Sequence, residues 1–130
     1  MKKIIILSSI FLLLITGCSL FKKVDVNGTY HGTIEGTQNS ISFSMSITMT
    51  LSQNGNKLSG TWTVSGGTSG TLSGTIAGNK IADFNVIQTS PCSGTFIASA
   101  IIHNKGDEIT GEFHGSSCFG TVSASFDVYK

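Results

Sequence analysis

Hydrophobic and polar residues alternate with a period of two along much of the chain. The clearest run is 41–52, with the sequence ISFSMSITMTLS, in which every apolar side chain is followed by a hydroxyl side chain. This spacing places the apolar side chains on one face of a β-strand, whereas a helix would scatter the hydroxyls around its circumference. We therefore predict a strand with one buried and one solvent-exposed face.

The same alternation recurs between short segments that favour turns. These segments are NGN at 54–56, GGTSG at 66–70, GN at 78–79, TSPC at 89–92, NKGD at 104–107 and GSSC at 115–118. With a first strand expected at 24–35, the pattern predicts an all-β chain of eight strands. We expect an antiparallel up-and-down meander that closes as a small β-barrel, and a β-sandwich is the alternative.

A short motif recurs in three predicted strands, at 58–62 (LSGTW), 72–76 (LSGTI) and 109–113 (ITGEF). In each copy the glycine is in phase with the apolar residues. Glycine inside a strand often marks a bend or a close approach of another backbone, and small barrels use such positions to turn corners. The motif favours closure, and a series of similar hairpins that do not close is the alternative.

The segment Leu58-Ser-Gly-Thr-Trp62, in its eight-strand setting, resembles the small ligand-binding barrels of the lipocalin and avidin groups. It is similar to the Gly-x-Trp opening strand of those families, although here it lies on the third predicted strand. The avidin pocket uses several tryptophans, and Trp62 is the single tryptophan of this chain. The resemblance implies a barrel and no particular ligand.

The inward-facing side chains of the predicted barrel are apolar and uncharged. They are Tyr30, Ile34, Phe43, Met45, Ile47, Met49, Leu51, Leu58, Trp62, Val64, Leu72, Ile76, Phe84, Val86, Phe96, Ala98, Ala100, Ile102, Ile109, Phe113, Val122, Ala124, Phe126 and Val128. The candidate pocket-lining residues among them are Met45, Trp62, Phe84, Phe96, Phe113 and Phe126. Apolar walls favour an apolar or lipid-like ligand, with an indole N–H or a phenol as its polar contact. A core filled by its own side chains is the alternative.

The first residues have the pattern of an export signal. Lys2 and Lys3 precede an apolar stretch at 4–15, which makes about 18 Å of helix where a bilayer needs roughly 20 residues. The stretch ends in Ile15-Thr16-Gly17-Cys18, which resembles the lipobox of bacterial lipoproteins. The resemblance implies cleavage before Cys18, diacylglyceryl transfer to its sulfur and N-acylation of the new terminus. An ordinary secretory signal with an incidental cysteine is the alternative.

Three parts of the chain follow from this interpretation. Residues 1–17 are the signal peptide, 18–25 are the lipidated terminus with its linker, and 26–130 are the barrel domain. The protein is expected in the cell envelope, anchored to a membrane through lipid at Cys18, as a small binding module. A non-enzymatic structural or interaction lipoprotein, with a filled core and a contact to another envelope component, is the alternative. Ser19, by resemblance to the Gram-negative sorting rule, favours the outer membrane, with the domain facing the periplasm or the cell surface.

The two remaining cysteines are predicted to form a disulfide. In an eight-strand meander Cys92 precedes the sixth strand and Cys118 precedes the eighth, so both lie at the same end of the barrel. An exported compartment is oxidising enough to join them, and closing a loop of this length stabilises by roughly 3.5 kcal/mol in the chain-entropy model. Free thiols or metal ligands are the alternatives.

The connections from strand 1 to 2, 3 to 4, 5 to 6 and 7 to 8 are expected at the end of the barrel away from the tethered terminus. The segments 36–40, 65–70, 89–93 and 115–118 are expected to be the longer loops, whereas the connections near the membrane are expected to be tight. If the barrel has a mouth, we expect it to face away from the bilayer, with the disulfide at its rim.

Charge and motif content narrow the function classes. Of eight Lys and Arg residues, Lys2 and Lys3 fall in the leader, so six cations face seven Asp and Glu residues in the mature chain. This balance argues against a nucleic-acid partner. No catalytic motif is present, so we expect no enzyme, no cofactor and no metal. Oligomeric state is not indicated.

One cluster of acidic residues and a histidine contains the ligand types of a metal site. Glu108, Glu112 and His114 share a face of the seventh predicted strand, and Asp127 is expected nearby. A solvated barrel exterior is favoured over a weak cation site.

Overall fold

The computed structural model describes residues 23–130. The predicted signal peptide, residues 1–17, and the predicted lipidation site, Cys18, lie outside the described residues. The strands are β1 (Gly28–Gln38), β2 (Ile41–Asn54), β3 (Lys57–Val64), β4 (Ser69–Ala77), β5 (Lys80–Ser90), β6 (Gly94–His103), β7 (Glu108–Ser117) and β8 (Gly120–Tyr129). A short 3-10 turn, Asn104–Gly106, connects β6 to β7. Within the described residues, no helix is long and apolar enough to cross a bilayer.

The eight strands form a closed antiparallel barrel. Each strand pairs with the next along the chain, and β8 returns to pair with β1 from His31↔Tyr129 to Gln38↔Val122. The meander predicted from the alternating pattern is therefore confirmed. Because β1 and β8 are hydrogen-bonded neighbours, the chain forms one continuous sheet, and the β-sandwich alternative is wrong.

The barrel has two ends that differ in how they are covered. The entry end contains the start of β1 and the connections 55–56, 78–79 and 104–107. The disulfide end contains the connections 39–40, 65–68, 91–93 and 118–119, and a disulfide joins two of them. Strand pairing extends further than expected toward the disulfide end, so the expectation of markedly longer loops there is wrong.

The entry end is sealed by the segment that precedes β1. The first strand begins at Gly28, not at Val24 as expected, and residues 24–27 pack against the barrel instead. Val26 is completely buried, and its amide donates to Gln53 Oε1 at 3.0 Å. The Asp25 amide donates to the Lys105 carbonyl at 2.9 Å, and the Tyr30 hydroxyl donates to the Gly106 carbonyl. These bonds satisfy polar groups that closure of this end removes from water.

The interior follows the predicted alternation, with one departure in β5. All of the inward side chains predicted from the pattern are buried or half-buried. Ile81 is also buried, although its odd position assigns it to the outer face. A register shift between Ile81 and Phe84, with Asp83 at φ 48°, turns both apolar side chains inward. Such bulges insert an extra residue and reset the phase of a strand.

The motif glycines lie where neighbouring groups approach closely. A Cβ added to Gly111 would overlap the Ser99 carbonyl oxygen and lie 2.6 Å from Cζ of Phe126. A Cβ on Gly74 would lie 2.7 Å from Cγ2 of Ile81. The absence of side chains at these positions leaves room for the interior rings and branched chains of the adjacent strands.

Candidate ligand-binding cavity

The barrel is filled near its entry end and hollow near its disulfide end. Tyr30, Leu58, Ile109 and Val128 are buried near the entry end and do not line the cavity at the other end. Beyond them lies a cavity of about 80 Å³ that opens to solvent at the disulfide end. The total empty space, including the mouth that opens to solvent, is about 730 Å³. A cavity needs only about 15 Å³ to hold one water molecule, so this one exceeds a packing defect.

All six residues expected to line a pocket do line this cavity: Met45, Trp62, Phe84, Phe96, Phe113 and Phe126. Four of the aromatic rings form a connected wall. Phe84 packs edge-on against Phe126 with ring centroids 6.4 Å apart, and Phe96 packs edge-on against Phe113 at 5.6 Å. Phe113 and Phe126 join the two pairs at 6.4 Å. These spacings are typical of favourable aromatic contacts, so the wall is held in place by its own rings.

Apolar side chains near the mouth remain incompletely covered. Phe43, Met45 and Val86 are inward-facing but only half-buried. Phe119, which lies in the 118–119 connection and also lines the cavity, is 46% exposed. The entry end lacks this exposure because residues 24–27 cover it. The disulfide end therefore presents an open apolar mouth.

The polar groups expected to meet a ligand are already engaged. The indole N–H of Trp62 donates to the Thr71 carbonyl at 3.2 Å, and the phenol of Tyr30 donates to the Gly106 carbonyl at the entry end. The expectation that either would bind a ligand is not supported, because each already donates its hydrogen to a backbone carbonyl of the barrel.

The structure instead places Gln88 at the cavity. Among residues 23–130 it is the polar side chain that is buried, with 4% exposure. Its Nε2 donates to the Cys92 carbonyl at 3.1 Å and lies 3.5 Å from Cys92 Sγ. Gln88 was not predicted from the sequence because it ends an apolar run. The available signal was its phase, since it lies on the same even positions as Phe84 and Val86.

Cys92 and Cys118 form a disulfide, as predicted. Their Cα atoms are 6.2 Å apart, within the range that a disulfide spans without strain on the backbone. The bond joins the 91–93 and 118–119 connections at the same end of the barrel. It therefore ties Phe119 and the carbonyl partner of Gln88 into one rim beside the mouth.

The walls around the mouth carry no acidic or basic side chain. The runs 36–44, 61–73, 84–98 and 115–126 contain no Asp, Glu, Lys or Arg. The lysines of the described part lie instead at or next to the entry end: Lys23, Lys57, Lys80, Lys105 and Lys130. The cavity is therefore electrostatically neutral as well as apolar.

The remaining polar clusters belong to the outer surface. No three His, Cys, Asp or Glu side chains of residues 23–130 converge as metal ligands. Asp127 accepts a hydrogen bond from the Tyr129 hydroxyl at 3.0 Å. His31 and His103 each lie within hydrogen-bond distance of a threonine hydroxyl on the next strand, Thr48 and Thr110. Cross-strand pairs of this kind stabilise the exterior of a sheet.

No family model matches the chain, and no curated protein matches it. The fold and the cavity define the class of protein. The chain is a small eight-stranded antiparallel β-barrel, closed at one end, with an apolar cavity that opens at the other. This architecture is the one to which the Leu58–Trp62 segment pointed.

Proposed function

We propose that the protein is a lipid-anchored lipoprotein of the bacterial cell envelope whose barrel binds an apolar or lipid-like ligand. The observation that supports this most directly is the cavity behind an uncovered apolar mouth. Burying apolar surface stabilises by roughly 25 cal/mol per Å². A ligand that covers this apolar wall would therefore gain binding free energy from the surface that it removes from water. An eight-stranded barrel is wide enough either to be filled by its own side chains or to hold one small ligand, and the cavity favours the second.

The proposed anchor agrees with this orientation. The lipobox residues 15–18 would place acyl chains on Cys18, and two or three such chains hold a protein stably at a bilayer surface. Val24 and Val26 pack at the entry end, so the tether leaves the barrel there. The mouth then faces away from the membrane. By the resemblance at Ser19, the membrane is the outer membrane.

The proposal includes no catalytic step, no cofactor and no nucleic-acid partner. The polar side chains that line the cavity are Gln38, Thr68, Gln88 and Ser117, and all are neutral. A hydroxyl without a neighbouring base is a poor nucleophile. Recognition of a small apolar molecule is what this set of groups supports.

Binding is tested with residues 19–130, which contain the complete barrel. Trp62 lies in the cavity wall and is the single tryptophan, so a brominated alkyl chain that enters should quench its fluorescence. Val86→Phe should weaken this binding about tenfold or more by filling the cavity, which corresponds to about 1.4 kcal/mol. Ile87→Phe is the matched control, because Ile87 is the next residue along β5 and lies on the exposed outer face.

Two results would contradict the proposal. One is an absence of quenching in the wild-type chain together with no lipid in mass spectra of the purified protein. The other is equal quenching in Val86→Phe and wild type. Either result would indicate that the cavity admits no ligand and that any binding occurs on the outer surface.

A second candidate is a structural lipoprotein that contacts another envelope component. Its support is the exposure of three isoleucines on the outer face of β5 and β6, where Ile87, Ile97 and Ile101 are 44%, 61% and 43% exposed. Exposed apolar patches often mark protein contacts. If this candidate is right, Ile97→Lys should abolish co-purification of a specific envelope protein, while Val86→Phe should leave it unchanged.

A further inference from the structure

The orientation of the Gln88 amide is fixed by its partner. A carbonyl oxygen only accepts hydrogen bonds, so the atom of Gln88 that lies 3.1 Å from the Cys92 carbonyl must be the donating Nε2. The Cys92 carbonyl is itself held in the rim by the disulfide to Cys118. The other amide atom, Oε1, therefore has a defined direction away from this rim.

Oε1 of Gln88 is an acceptor without a protein partner. No hydrogen bond from a residue in the described part of the chain reaches it. It is also not among the described side-chain atoms that are both sealed from solvent and unsatisfied. Since Gln88 as a whole is 4% exposed and lines the cavity, the access that Oε1 retains is through the cavity.

The residues paired with Gln88 on the two adjacent strands carry no side chains. Its cross-strand partners are Gly70 on β4 and Gly94 on β6. Both glycines are buried and lie in phase with the inward-facing side chains of β4 and β6. A Cβ on Gly70 would overlap the Ile87 carbonyl oxygen, and a Cβ on Gly94 would lie 2.7 Å from Cβ of Ser117. Only glycine fits at these two positions, and neither carries a side chain that could donate to Oε1 of Gln88.

The neutrality of the mouth sets the charge of what fits there. A carboxylate, phosphate or ammonium group brought to Gln88 would lose water and meet no opposite charge, because the four runs that form this end carry none. Desolvating an unpaired charge is costly, whereas a neutral hydroxyl or amide that forms a hydrogen bond enters at little cost. The remaining polar lining groups, such as Thr68 and Ser117, are also neutral.

We infer that the ligand is an uncharged single-chain amphiphile whose head group donates a hydrogen bond to Gln88 Oε1 while its alkyl chain lies against Trp62, Phe84 and Phe126. Long-chain alcohols, monoacylglycerols and primary amides share this chemistry. The inference rests on the proposed function, because it names the class of ligand for the same cavity.

Four compounds with one alkyl chain test it: decane, decanol, methyl decyl ether and decanoate. Each competes with the neutral fluorophore N-phenyl-1-naphthylamine for residues 19–130 at neutral pH. Decanol should displace the fluorophore about tenfold more strongly than the ether, which accepts but does not donate a hydrogen bond. Decanoate should be weaker than decanol by at least a similar factor.

Gln88→Met removes the acceptor and keeps an unbranched side chain of similar length. It should bring decanol and the ether to equal affinity, while Thr89→Met, on the exposed outer face of the same strand, should leave the preference for decanol intact. If Gln88→Met does not fold, the comparison of alcohol with ether on the wild-type chain decides by itself.

The outcomes separate the inference from the function on which it rests. If the compounds all bind and the alcohol is no better than the ether, or decanoate binds most tightly, the head-group inference is wrong and a binding cavity stands. If the fluorophore binds and none of the four displaces it, the head-group inference is wrong. If the fluorophore does not bind and a brominated alkyl chain does not quench Trp62, both the inference and the proposed function are wrong.

Discussion

Tyr30 connects the filled half of the interior to the segment that seals the entry end. Its side chain is completely buried, its hydroxyl donates to the Gly106 carbonyl, and Nζ of Lys130 lies 5.6 Å from the ring centroid. Burial raises the pKa of the Tyr30 phenol to about 12, and the carboxylates of Asp25 and Asp107 add to the shift. The neutral phenol is therefore part of the folded structure.

Stability should fall at high pH because the folded state holds a proton that the unfolded chain releases. The folded pKa of Tyr30 is about 12 and the ordinary value is 10.0, so this contribution is complete below pH 10 and is lost as the pH rises toward 12. In Tyr129→Phe, Tyr30 is the remaining tyrosine. Tyrosinate absorbance of this variant should titrate near 12 when folded and near 10 in urea. A folded midpoint near 10 would contradict the assignment.

At this scale the sequence predicted most inward residues and missed those that break the pattern. Period-two alternation identified Trp62 and Phe126 because it places the apolar residues of a strand on one face, and that face must be buried. Ile81 was missed because a bulge changes the phase between it and Phe84. Gln88 was missed because a polar residue in an inward phase looks like the end of a strand. In both cases the pairing with a neighbouring strand determines that the side chain faces the interior.

At the scale of strands, the recurring glycines allow the barrel to close around its own aromatic side chains. Gly111 lies on β7 beneath the ring of Phe126 on β8, to which it is directly paired. A side chain at this position would push the ring into the cavity or push β7 away from β6. The alternation alone shows only that the glycine faces inward. That a ring from the next strand covers it depends on the pairing of β7 with β8.

Gly111→Ala should lower the free energy of unfolding by roughly 1–3 kcal/mol, the usual cost of overpacking an interior. The added methyl group would overlap the Ser99 carbonyl and meet Phe126. Urea denaturation monitored by circular dichroism measures the change. Ser99→Ala is the control, because its exposed side chain lies on the outer face of the same pair of strands and should change stability by less than about 0.5 kcal/mol. Equal stabilities for wild type and Gly111→Ala would show that the barrel relaxes around the methyl group.

At the scale of the whole molecule, the two ends of the barrel have different roles in the proposed function. The entry end holds the sealing segment and the lysines of residues 23–130, and the disulfide end holds the open mouth, whose surrounding runs contain no Asp, Glu, Lys or Arg. The sequence placed both cysteines at one end by counting strands, and the disulfide confirms that placement. It also assigned the difference between the ends to loop length, which is wrong.

The anchor is tested on the full-length chain. Wild-type protein produced in a Gram-negative bacterium should incorporate labelled palmitate and lose residues 1–17, because the proposed lipobox would direct acylation and cleavage at Cys18. Cys18→Ser should take up no label and retain the leader, as measured by the mass of the intact protein. Cys92→Ser with Cys118→Ser is the control and should still be labelled. Label in Cys18→Ser would show that Cys18 is not the acylated residue.

The sequence by itself determined the class of fold, the composition of the interior and the pairing of Cys92 with Cys118. It did so because side-chain alternation and turn residues act over a few positions, and because an even number of antiparallel strands fixes which connections share an end. Only the tertiary structure decided that residues 24–27 close one end, and that Gln88 lies between Gly70 and Gly94 at the other. These features depend on contacts between distant parts of the chain, where packing, not local pattern, sets what is covered and what stays open.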